Sequence, residues 1–155
     1  MNSVRHALPV FFISVVISLV SPAAATAADA TEQISVIDPY VRAVPPVVKN
    51  TAAYMQFHNQ GDRERRLIAA ETPIASAVEL HMHTETGGMM RMRRVPHIHL
   101  PPNQIVTLEP SHEHIMLFEL KKPLQPGDQI PMTLRFSDGS SQQVSAEVRR
   151  ADGRD

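Results

Sequence analysis

The chain has 155 residues, with 15 Lys and Arg against 16 Asp and Glu, eight His, eight Met and no Cys. That length accommodates one domain of roughly 100–200 residues, and a hydrophobic fraction of 43% is that of a globular protein. A formal charge of −1 offers no basic field for nucleic acid, and the lack of cysteine excludes disulfides, thiolate zinc sites and thiol catalysis.

Residues 1–28 read as a secretory signal. Arg5 supplies the positive start, Leu8 to Val20 is mostly apolar, Ser21-Pro22 breaks the run, and Ala23 to Ala28 is small enough for cleavage, expected between Ala25 and Ala28. The apolar run is shorter than the about 20 residues a spanning helix needs and contains Pro9, so no stable membrane span is expected in the mature chain. Cleavage leaves 127 residues with 14 basic and 16 acidic side chains, working in the periplasm. Residues 29–148 are expected to form one domain, able to fold without a disulfide or metal, and residues 149–155 a flexible tail.

Short alternating segments follow: Ile34–Ile37, Thr51–His58, Arg66–Ala70, Ala77–His83, Met89–Val95, Gln104–Leu108, His114–Leu120, Ile130–Phe136 and Gln142–Val148. Turn signals separate them, among them Asp38-Pro39, Gly87-Gly88, Pro101-Pro102-Asn103 and Pro126-Gly127-Asp128. The chain's thirteen prolines leave no stretch for a major helix. The expected class is all-β, a Greek-key barrel or sandwich.

Six of the eight histidines and five of the eight methionines lie between His81 and Met116. In a hairpin with Thr86-Gly87 as the turn, His81 faces Met92 and His83 faces Met90; with Gly87-Gly88 as the turn, His83 faces Met92. Either pair suits a tight turn, and opposed side chains are close enough to share an ion. His114 and Met116, two apart on a strand, point to one face. Two imidazoles and two thioethers can therefore converge. Thioether sulfur is soft, neutral and not protonated in water, so the set suits Cu(I) rather than zinc. It also survives an oxidising compartment without disulfide loss.

The spacing His81-(ten residues)-Met92-(21 residues)-His114-Ile115-Met116, with Met82 beside the first His, resembles the PCuAC family of periplasmic copper chaperones. The likeness extends over Asp38-Pro39-Tyr40-Val41-Arg42-Ala43, Asn50-Thr51-Ala52-Ala53-Tyr54, Val78-Glu79-Leu80-His81, Met90-Arg91-Met92-Arg93, Leu117 to Pro123 and Gly127 to Phe136. The resemblance implies a cupredoxin-like β-barrel with an exposed Cu(I) site made by His81, Met92, His114 and Met116, one ion per chain. It implies delivery of copper toward the CuA centre of a haem–copper oxidase, directly or through another periplasmic copper chaperone. Tyr40 stands where many relatives carry Trp, a slot another aromatic ring can fill. His83, His97, His99 and His112 are additional imidazoles that allow a weaker second Cu(II) site, and the His- and Met-rich tail of some members is missing.

Met55 and Met132 sit in apolar strands and read as core. Met89 and Met90 divide between packing and auxiliary ligation. His58, His97, His99 and His112 read as surface or loop residues, and Arg91, Arg93 and Arg94 as either a partner patch or a solvated face. No catalytic set is evident, so the chain reads as a non-enzyme and a monomer. The competing readings are a copper buffer or resistance protein, with the same ligands, and a cupin-type metalloenzyme using His112, His114 and Glu119. The parity of Glu119 and the lack of any later histidine count against the second.

Overall fold

The computed structural model describes residues 33–150; the signal segment 1–28 and residues 151–155 of the tail lie outside them. Ten strands follow one another: β1 (Ile34–Arg42), β2 (Thr51–Asn59), β3 (Arg65–Glu71), β4 (Ala75–Thr86), β5 (Met89–Arg94), β6 (Ile98–Leu100), β7 (Gln104–Leu108), β8 (Glu113–Leu120), β9 (Gln129–Phe136) and β10 (Ser141–Arg149). They form one sheet in the order β5-β4-β8-β2-β1-β10-β9-β3-β6, with β7 also paired to β2. All pairings are antiparallel except β1 with β10. The class is all-β, as expected, and no helix among the described residues is long and apolar enough to cross a membrane.

Strand alternation builds the core. Ile130, Met132, Leu134 and Phe136 of β9, Ala146 and Val148 of β10, and Ile115 and Leu117 of β8 all turn inward and are essentially inaccessible. Phe57 meets Phe136 edge-to-face at 6.4 Å between centroids, a favoured aromatic geometry. Met55 and Met132 are core residues, as their apolar strands imply. The buried Asn59 is fully engaged: its Nδ2 donates to the carbonyls of Arg63 and Leu100, and its Oδ1 accepts from Gly61 N–H. Burial of that amide is thereby compensated.

Three local readings of the sequence are corrected. Asp38-Pro39 is no turn but a bulge inside β1: Ile37 pairs with Gln56, and the register then resumes with Tyr40 opposite Tyr54. Asp38 takes a left-handed φ of 50° there, which Asp tolerates better than most residues. Its carboxylate receives both Nη atoms of Arg149, at 2.7 and 3.0 Å. Arg149, assigned to the flexible tail from sequence, is instead the last residue of β10 and pinned at 5.4 Å over the Tyr40 ring. Third, the segment carrying His97 and His99 is not simply a loop, because Ile98–Leu100 pairs with β3 as Arg65↔Leu100 and Leu67↔Ile98.

Candidate metal centre

The β4–β5 hairpin turns on Gly87 and Gly88, with φ of 61° and 76°. Two successive positive φ values define the hairpin turn that glycine accommodates without steric penalty. Of the two registers the sequence allows, this one opposes His83 to Met92 and His81 to Arg94. On the other side of β4, His81 faces His114 and Glu79 faces Met116, while Ala52 of β2 also faces Met116. Opposed residues share a face, so Glu79, His81, His83, Met92, His114 and Met116 all lie on the side of the sheet away from Leu80, Ile115 and Leu117.

That outer face is partly covered. Residues 51–55 of β2 are buried on both faces, and His114 is only 2% exposed. A cavity of about 280 Å³ opens there, lined by Arg42, Ala52, Tyr54, His83, Met92, Pro110, His114 and Met116. Behind it, the Tyr40 ring lies 5.1 Å from Tyr54, and Tyr54 lies 6.3 Å from His114.

His114 is the fixed point of the site. Its Nδ1–H donates to the His112 carbonyl at 3.0 Å, which leaves Nε2 unprotonated and 3.1 Å from the Met92 sulfur. Burial lowers its pKa below the ordinary imidazole value; the His112 bond opposes this, while the nearby His83, His81 and Arg42 reinforce it. The neutral, ligating form is therefore the stable one.

The other two imidazoles differ in their partners. The His83 ring lies 5.1 Å from that of His114 and lines the cavity. His81 lies 6.1 Å from His114 and 5.9 Å from Phe118, with Nε2 2.8 Å from Glu79 Oε2. That contact holds the Glu79 carboxyl below its usual pKa, with Arg94, 3.4 Å away, adding to the effect. Nδ1 of His81 and Nδ1 of His83 are both buried and meet no hydrogen-bond partner among the described residues. Buried nitrogen left unpaired is costly, and a metal ion is one partner that would satisfy it.

Of the four ligands read from sequence, Met92, His114 and Met116 line one cavity, and His81 stands directly across from His114 with one nitrogen committed to Glu79. The cavity's imidazole neighbour missing from that set is His83, which the Gly87-Gly88 register already placed opposite Met92. Arg42 and Pro110 were not legible as site residues, because they approach from β1 and from the β7–β8 connection. Met89 and Met90 are both more than half exposed and do not line the cavity, so neither is packing. His112 turns its ring to Glu109 at 2.8 Å and serves the site through its carbonyl. No three His, Asp or Glu side chains converge on one point among the described residues, so the cupin set is not assembled. Arg91 and Arg93 oppose Thr84 and Met82, on the face away from Arg94, so the three arginines are not one patch.

A profile of the family described as "Putative lipoprotein LpqE-like" matches residues 34–148. The chain belongs to this family, that of the PCuAC domains. The copper-bound PCuAC domain from PmoF2 superposes with a TM-score of 0.66 at 27% identity, covering 76% of this chain and 93% of that one. The Cu(I) form of DR1885 from Deinococcus radiodurans is 38% identical, with a TM-score of 0.62 over 73% of this chain and 76% of that one. Among curated proteins, the "Putative lipoprotein Lxx21020" of Leifsonia xyli subsp. xyli is 35% identical over 104 residues. An uncharacterized protein of Rickettsia prowazekii is 28% identical over 102 residues. These matches span 63% and 56% of the two relatives' own lengths. The PCuAC fold is cupredoxin-like, and so is the fold here.

Proposed function

We propose that this PCuAC protein is an exported copper chaperone that carries one Cu(I) on His81, Met92, His114 and Met116. The observation that carries the reading is the 3.1 Å approach of the His114 Nε2 lone pair to the Met92 thioether, in a cavity that Met116 also lines. Two neutral nitrogens and two neutral sulfurs leave the complex with the single charge of the ion, which favours Cu(I) over divalent competitors. His81 supplies its unpaired Nδ1 while Glu79 holds the opposite nitrogen, the arrangement in which a carboxylate orients a metal-binding imidazole. Further support comes from relatives whose structures were determined with copper or Cu(I) bound.

Delivery toward a CuA centre, directly or through another copper carrier, fits a site whose ligands come from an edge hairpin and one neighbouring strand and can exchange one at a time. Export to the periplasm is supported by the signal-like N-terminus and by relatives named as lipoproteins. A second reading replaces His81 by His83, favoured because His83 lines the cavity and His81 does not.

X-ray absorption of the reduced, copper-loaded protein tests the set, with two nitrogen and two sulfur neighbours expected. A shell without sulfur would overturn it. His81→Ala is expected to lower Cu(I) affinity more than His83→Ala; the reverse order would establish the second reading. Transfer of the bound ion to a soluble CuA domain is expected, and retention would make the protein a buffer.

A further inference from the structure

Outside this site, one other cluster of ligating side chains is preorganised. Ile98 and Leu100 are buried at 2% and 0% and anchor β6, so alternation sends the flanking His97 and His99 to the outer surface. Their rings are T-shaped at 4.6 Å, and their Nε2 atoms stand 3.0 Å apart. Two nitrogens bound to one ion at about 2.0 Å are separated by about 2.8 Å at a right-angled pair of positions and about 3.3 Å at a tetrahedral pair. The observed separation falls between these values, so small ring rotations suffice to admit an ion.

The second nitrogen of His99 is also in place. Its Nδ1 lies 3.1 Å from Glu64 Oε1, and Arg66 Nε approaches the same oxygen at 3.2 Å. Arg66 and His99 are partners across the β3–β6 ladder, which fixes this geometry in the backbone. Donation of Nδ1–H to the carboxylate fixes the His99 tautomer and turns its Nε2 lone pair toward His97, whose Nε2–H it accepts in the copper-free protein; an ion takes the place of that proton, as in carboxylate-oriented metal ligands. No third His, Asp or Glu is placed to ligate the same ion among the described residues, so water completes the shell.

We propose that His97 and His99 form a second metal site that binds Cu(II) through their two Nε2 atoms, with Glu64 as the positioning carboxylate. The pair offers nitrogen and no sulfur, and imidazole donors take Cu(II) ahead of the other divalent first-row ions. None of His97, His99 and Glu64 lines the cavity at Met92, so this proposal stands or falls apart from the Cu(I) reading.

The test is titration of the protein with Cu(II) in air without reductant, followed by amide NMR broadening and by chelator competition. Broadening is expected to centre on Arg66, Ile98 and Leu100. The double substitution His97→Ala with His99→Ala is expected to abolish it, and Glu64→Gln to weaken Cu(II) binding about tenfold or more. Cu(I) stoichiometry under ascorbate is expected to be unchanged in both variants, which also shows that they fold. Broadening centred on His83 and His114 that persists in the double variant would overturn the proposal, as would no broadening at one equivalent.

Discussion

At the scale of single residues, methionine divides by surroundings rather than by chemistry. Met92 is 47% exposed on an edge strand and touches His114, whereas Met132 is 1% exposed inside the core. Met92→Ala is therefore expected to reduce Cu(I) affinity at least tenfold while changing stability by no more than about 0.5 kcal/mol. Met132→Ala is expected to lower stability by about 2–5 kcal/mol through lost burial and a residual cavity. Chemical denaturation beside Cu(I) competition checks both, and a Met92 variant that unfolds would return that residue to the core. His114 gives a second expectation. Because burial holds its pKa below the ordinary imidazole value of 6.5, its proton signal in the copper-free protein should titrate below that pH. The unfolded chain then binds the proton first as pH falls, so the native state loses stability below about pH 6.5 and regains it above. NMR titration reads this directly, and a midpoint at or above 6.5 would refute it.

At the scale of elements, the metal face depends on the two-glycine turn that aligns β4 with β5. Gly88, at φ 76°, occupies backbone that a β-branched residue adopts only at a cost of about 1–2 kcal/mol. Gly88→Val should speed amide exchange in β5 and lower Cu(I) affinity, with little change in the global midpoint, because all six residues of β5 are exposed. Unaltered exchange in β5 would show that the hairpin does not set the ligand register. The same strand shows what a sequence can carry. Alternation located nine of the ten strands, and the His and Met spacing located three of the cavity's lining residues. The hairpin register stayed open, since Thr86-Gly87 and Gly87-Gly88 are both good turns; the structure takes the second, with both glycines at positive φ. β6 was missed because Pro96, Pro101 and Pro102 frame a segment of three residues, too short for alternation to register. The bulge at Asp38 was misread because Asp-Pro marks turns locally, whereas here Arg149, 111 residues away, compensates the backbone.

At the scale of the whole molecule, folding and metal binding are supported by opposite faces of the same strands. β8 sends Ile115 and Leu117 into the core and His114 and Met116 to the cavity, and β4 and β2 divide likewise. Copper is therefore a ligand of an already folded barrel and not a condition of folding, in contrast with small domains that are unfolded without metal. An ion that binds only the native state still stabilises it by mass action, by about 4 kcal/mol when free Cu(I) exceeds its dissociation constant a thousandfold. For a domain of this size that corresponds to a midpoint rise on the order of 10 °C. Met132→Ala should begin from a lower midpoint and keep the full rise, since its cavity lies on the far side of the strands. Met92→Ala should begin near the parent midpoint and lose most of the rise. Thermal unfolding of the three proteins with and without Cu(I) under reductant measures all six values. A copper-dependent rise that shrinks in Met132→Ala as much as in Met92→Ala would mean that the two faces are coupled and that the barrel is not the rigid support assigned to it here.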